Sequence, residues 1–65
     1  MRLVQFTCAH TGERVAVDAE RVVYIAEEGE MTAVYLALNS AEEAEPVFVR
    51  EDYATVVDRL SKVNP

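Results

Sequence analysis

Cys8 and His10 are the side chains best suited to direct chemistry, two positions apart with Glu13 close behind. On an extended segment Cys8 and His10 point the same way, which is how metal ligands and nucleophile–base pairs begin. Zinc takes four ligands, however, and the chain has one cysteine and one histidine. A Cys–His nucleophile also needs an orienting group and an oxyanion pocket. A β-rich domain of 65 residues offers little room for that cleft. Cys8 as a small buried hydrophobe is the simpler expectation. No catalytic residue, metal ligand or cofactor site is expected, and the protein reads as a non-enzyme.

The glutamates form two groups, Glu27, Glu28 and Glu30, then Glu42, Glu43 and Glu45. Neither has the Asp-x-Asp-x-Asp-Gly spacing of a calcium loop. A carboxylate-pair hydrolase would need acids projecting into a cleft, and these fall on turns. Solvated loops are the plain expectation. An acidic surface that mimics nucleic acid, as a small inhibitor would use, is the alternative.

Tyr24, Tyr35 and Phe48 carry a different chemistry, that of recognition, because tyrosine joins a large apolar area to a polar tip. The stretch that positions them is Arg21 to Leu38, two Val-, Tyr- and Ile-rich strands around Glu27-Glu28-Gly29-Glu30. A four-residue loop there pairs Ala26 with Met31, Tyr24 with Ala33 and Val22 with Tyr35. One face then holds Val22, Tyr24, Ala33, Tyr35 and Ala37, and the other Val23, Ile25, Val34, Leu36 and Leu38. Both faces are apolar, so the hairpin requires cover on both sides.

The flanking elements follow from pattern. Leu3–Cys8 alternates as a strand, Ala9-His10-Thr11-Gly12 makes a turn, and Glu13–Val17 returns as the second arm of a hairpin. Asp18-Ala19-Glu20 is a short turn with the Asp18 carboxylate on nearby backbone N–H groups. Asn39–Glu45 reads as an exposed loop, and Pro46 opens a strand through Arg50. From Glu51 to Val63 the period becomes helical, with Tyr53, Val56, Val57, Leu60 and Val63 on one stripe. Glu51 and Asp52 suit the helix N-terminus, Arg59 and Lys62 its C-terminus, and Asp58 can pair with Lys62. Asn64-Pro65 ends it. The expected fold is α+β: a small antiparallel sheet of about five strands, then one C-terminal amphipathic helix on one face. That helix is expected to cover Val23, Ile25, Val34 and Leu36, leaving the Tyr24 and Tyr35 face open.

Size and charge bound the function. A single domain of 65 residues buries only about 60% of its unfolded surface and needs help to be stable. With one cysteine and one histidine, oligomerisation is the natural help. Net charge is −6, from 12 acids and 6 bases, which argues against phosphate backbones and anionic membranes. The chain lacks a long apolar run and the basic-then-apolar layout of a signal peptide, so a cytoplasmic protein is expected.

VAVDAERVVYI, TAVYLAL and VFVREDYATVVDRL together resemble the small flagellar FlbD family. The matching residues are Thr7, Gly12, Asp18-Ala19-Glu20, Ile25, Thr32, and Val49 with Glu51. The turn before Thr32 lacks that family's Pro-Asp, and the next loop lacks its Gly-Lys. The resemblance implies a similar strand order and terminal helix, and no mechanism. Val22-Val23-Tyr24-Ile25, Val34-Tyr35-Leu36 and Val49-Arg50 are also similar to the first half of the LytTR DNA-binding domain. The basic half of that domain has no counterpart in these residues, so DNA binding is not carried over.

The expected function is a non-catalytic interaction or regulatory module. It self-associates, as a dimer or higher, through the apolar face of Val22, Tyr24, Ala33, Tyr35 and Phe48, and engages a further protein. The alternatives are an acidic nucleic-acid mimic and a nucleic-acid-associated regulator in which assembly gathers Arg2, Arg14, Arg21 and Arg50.

Overall fold

Alternation builds the first hairpin. In a computed structural model that describes residues 1–38 and 44–62, β1 (Leu3–Thr7) pairs antiparallel with β2 (Arg14–Asp18). Val4 sits opposite Val17 and Phe6 opposite Val15, so four apolar side chains share one face. Gly12 closes the turn at φ +77°, a conformation glycine adopts without strain. Asp18 then accepts the Glu20 N–H at 3.0 Å and starts the short 3-10 helix Ala19–Arg21, as its side chain predicts.

β3 (Val22–Glu28), β4 (Met31–Ala37) and β5 (Ala44–Val49) form a three-stranded antiparallel sheet in that order. Two points correct the sequence-based reading. The β3–β4 connection is the two residues Gly29 and Glu30, because Glu28 pairs with Met31 and Tyr24 with Tyr35. Gly29 at φ +61° permits so tight a turn, and the strands run on through the glutamates. The second point is a bulge between Val22 and Tyr24. Val22 pairs with Leu36 and joins the core side, while Val23, expected under the helix, turns out to 48% exposure. β5 begins at Ala44, two residues before Pro46. Of the loop expected over Asn39–Glu45, Ala44 and Glu45 belong to β5, and residues 39–43 lie outside the described residues, as do Val63, Asn64 and Pro65.

The five strands do not make one regular sheet. β1 leaves β2 at its end and meets β5 at a single bridge, Cys8 opposite Val49. Ala9 N–H donates to Phe48 O and Arg50 N–H to Thr7 O, both at 2.8 Å. This join folds the hairpin over one face of the three-stranded sheet. There Phe6, Val17, Val34, Val49 and Val56 form the buried core, edged by Val4, Val15, Val22, Ile25, Leu36, Val47 and Leu60.

The helix α1 (Tyr53–Ser61) packs against β3 and β4 and completes that cover. It starts at Tyr53, later than the periodicity suggests, because Asp52 is spent as its cap, accepting the Thr55 N–H at 3.1 Å. At the other end the Arg2 guanidinium donates to Leu60 O at 2.7 Å and to Lys62 O, satisfying carbonyls the helix cannot. Asp58 and Lys62 pair at 3.3 Å on the exposed side. The architecture is α+β, with the helix and the first hairpin together on one face.

Candidate interaction face

Cross-strand partners share a face, so the registers of β3, β4 and β5 give the composition of the side opposite the core. One row is Tyr24, Tyr35 and Pro46, directly paired across the three strands. The next is Ala26, Ala33 and Phe48. The third begins with Glu28 and Met31 at the turn. The Tyr24 and Tyr35 rings stack with centroids 4.2 Å apart and planes 13° from parallel, and Tyr24 is 55% exposed. Hydrogen bonding to the Tyr24 side chain, then the charge of that phenol, desolvation and nearby Glu28, hold the Tyr35 hydroxyl above its ordinary pKa. The Tyr35 phenol is therefore a neutral donor at physiological pH.

Four of the five expected face residues lie on this side: Tyr24, Ala33, Tyr35 and Phe48. Val22 does not, because the bulge moves it to the core side. Ala33 is on the face but has 0% exposure, so it serves as floor and makes no contact of its own. Phe48 is half-buried, and its ring meets the His10 ring in a T-shaped arrangement with centroids 5.6 Å apart. The turn from β1 to β2 thus reaches over one margin of the face. Between this turn and the β3–β4 turn lies an open depression of about 510 Å³, lined by Ala9, Glu28, Gly29, Glu30, Met31 and Arg50.

No family model, curated protein or solved structure matches the chain.

Cys8 is partly exposed, not buried as expected, and lies beside Glu13, whose carbonyl accepts its N–H at 2.8 Å. His10 is turned onto Phe48. The Cys8 thiol is held below its ordinary pKa by the Thr11 hydroxyl first, then by backbone N–H groups of Thr11 and His10. Among the described residues no three His, Cys, Asp or Glu side chains converge as metal ligands. Nor is any helix long and apolar enough to cross a membrane. Arg2 caps α1, Arg14 is on β2, Arg21 donates to Ala37 O at 3.0 Å, and Arg50 lies against Gly12.

Sequence reasoning missed the polar clamp on the opposite side. The Glu51 carboxylate accepts Thr7 N–H at 2.9 Å and Thr7 Oγ1–H at 3.1 Å, with Arg59 Nη1 at 3.5 Å. Its backbone carbonyl accepts the hydroxyl of buried Thr32 at 2.8 Å. Arg59 also donates to Gln5 O at 3.0 Å and lies 5.7 Å from the centre of the Phe6 ring. Burial raises the Glu51 pKa, but the two Thr7 donors, its own backbone and Arg59 outweigh it, and the net shift is downward. One residue thus joins β1, β4 and the approach to α1. A helix-dipole reading finds Glu51 near a helix start; only the tertiary approach of β1 gives it this role.

Proposed function

We propose that the protein is a cytoplasmic, non-catalytic interaction module that works by burying the Tyr24–Tyr35–Phe48 face against another polypeptide, a second copy first of all. The observation that carries this reading is the stacked tyrosine pair, with Tyr24 more than half exposed, on the side of the sheet opposite the core. Tyrosine is enriched where proteins meet because it buries much apolar area at small entropic cost. The sheet edges are poorer candidates. β3 carries a bulge and ends in Glu27 and Glu28, and β2 carries Arg14 and Asp18, devices that discourage strand addition. The role that follows is that of an adaptor or regulatory subunit.

The test is solution mass by light scattering across a concentration series. A concentration-dependent dimer or larger assembly is expected. Tyr35→Glu places a charge in the centre of the face and should dissociate the assembly or unfold the chain. A folded Tyr35→Glu variant, checked by circular dichroism, with its assembly unchanged removes this face from the proposal.

A further inference from the structure

Opposite charges line the depression between the two hairpin turns without pairing. Thr32 lies opposite Val49 on the core side, so by alternation the residues beyond them, Met31 and Arg50, turn to the other side. Met31 pairs on its other flank with Glu28. Glu28, Met31 and Arg50 thus make one row across the end of the sheet, and all three line the depression. Neighbouring strands lie about 4.8 Å apart, which sets the backbones of Glu28 and Arg50 about 10 Å from each other. Among the described residues no ion pair reaches Glu28, Glu30 or Arg50. Arg50 is nevertheless held in place. Its N–H donates to Thr7 O at 2.8 Å, and its guanidinium lies against the first turn. A Cβ on Gly12 would stand 3.3 Å from Arg50 Nη2 and 3.5 Å from Cζ and Nη1, so only glycine lets the group approach so closely. Glu28 and Glu30 flank Gly29 on the opposite rim, and half-buried Met31 and Ala9 supply apolar surface between.

We propose that this depression binds a small zwitterion, a free amino acid with an apolar side chain. Arg50 offers its fork of N–H donors to the carboxylate, and Glu28 and Glu30 accept from the ammonium. The apolar side chain lies on Met31 and Ala9. The width suits such a ligand: a hydrogen bond of about 2.8 Å at each end of a gap of about 10 Å leaves a few ångström for the ligand's own charge separation. A lone anion would meet two carboxylates, and a lone cation would meet the guanidinium. Only a ligand carrying both charges is attracted by the whole rim. The volume of about 510 Å³ lies within the ordinary range for small-molecule sites, about 300–1,000 Å³. The site stands at the end of the sheet and does not depend on what the tyrosines contact.

The test is a titration of the isotope-labelled chain with leucine, followed by amide chemical shifts. N-acetylleucine and leucinamide, which each lack one of the two charges, are titrated beside it. Leucine should shift the amides of Ala9, Glu28, Gly29, Glu30, Met31 and Arg50 along a saturable curve, and each capped form should bind about ten-fold more weakly. Arg50→Gln and Glu28→Gln, both at exposed positions, should each weaken leucine binding about ten-fold as well. The capped ligands probe the same contacts in the unaltered chain, so the result does not hang on the folding of either variant. Absence of a saturable shift with leucine overturns the proposal. Equal binding of leucine and its capped forms does the same, as does binding that both variants leave unchanged. If these amides shift with protein concentration and not with leucine, a second copy fills the depression and the zwitterion falls.

Discussion

The two sides of the central sheet use the same residue types for opposite ends. On the core side, Phe6 is buried beneath Arg59, and Glu51, Thr7 and Thr32 are fastened to one another. On the other side, the Tyr24 ring is more than half exposed, and among the described residues no ion pair reaches Glu28 or Glu30. A buried polar group must be satisfied where it stands, so the clamp is complete within the chain and has nothing left to offer a ligand. An exposed aromatic row has no such internal claim on it. The contrast separates residues that hold the fold from residues free to act outside it, and substitutions can test that separation.

The largest effect should come from Phe6→Ala. It removes the bulkiest fully buried side chain and the surface under Arg59, and should cost about 3–5 kcal/mol in urea unfolding. A domain this small has little reserve, so the variant should be largely unfolded. Glu51→Ala comes next, at about 2 kcal/mol, since the Thr7 donors and Arg59 lose an acceptor that is only 15% exposed. Its pH dependence has a definite sign. Because the folded pKa is depressed from the ordinary value of 4.5, the stabilisation is full above that value and is lost as pH falls through the folded one. Asp18 and Asp52 are depressed too, by the Glu20 N–H and by Thr55 respectively, and act in the same direction. Acid titration of the unfolding midpoint should be steep in the native chain and shallower in Glu51→Gln. An equal slope in both would mean that the clamp carries no linked proton.

Much of the core side was legible in the sequence because periodicity and capping are local. The Leu3–Val17 hairpin, the Asp18 turn, the Asp58–Lys62 pair and the helical period of α1 follow from residues within a few positions of one another, although of the expected stripe only Val56 and Leu60 pack on the core and Tyr53 is exposed. What failed was register. An acidic tetrad resembles a loop, but glutamates tolerate the end of a strand, and Gly29-Glu30 alone suffices to turn the chain. The bulge that exchanges Val22 for Val23 has no signature in a run of apolar residues, since either can face the core. Tyr24, Tyr35 and Phe48 kept their shared face because the register error was an even number of residues. The Glu51 clamp was invisible for another reason. It joins segments forty-four positions apart, and nothing near Glu51 announces Thr7.

The two hairpin turns offer a finer version of the comparison. Both glycines have positive φ, so alanine strains either one. A Cβ at Gly12 would also come within 3.3 Å of the Arg50 guanidinium, whereas one at Gly29 meets nothing within 4 Å. Gly12→Ala should therefore cost about 1 kcal/mol or slightly more, and Gly29→Ala less, in parallel unfolding curves. Equal costs would show that Arg50 moves aside freely and that the first turn is no more tightly fitted than the second.

The smallest effect on stability belongs to the residue with the largest proposed role. Tyr24 is more than half exposed, and its main contact is one face of Tyr35. Removing the ring forfeits a cross-strand stack on a wet surface, which should lower the stability of the isolated chain by only about 0.5 kcal/mol. Measured at low concentration, Tyr24→Ala should thus unfold almost where the parent does. At high concentration the curves should part, because an assembly that buries the face stabilises the parent by mass action and the variant much less. Coincident curves at every concentration would place Tyr24 outside any self-association surface. A large loss at low concentration would move the residue to the other side of the comparison, among those the fold itself requires.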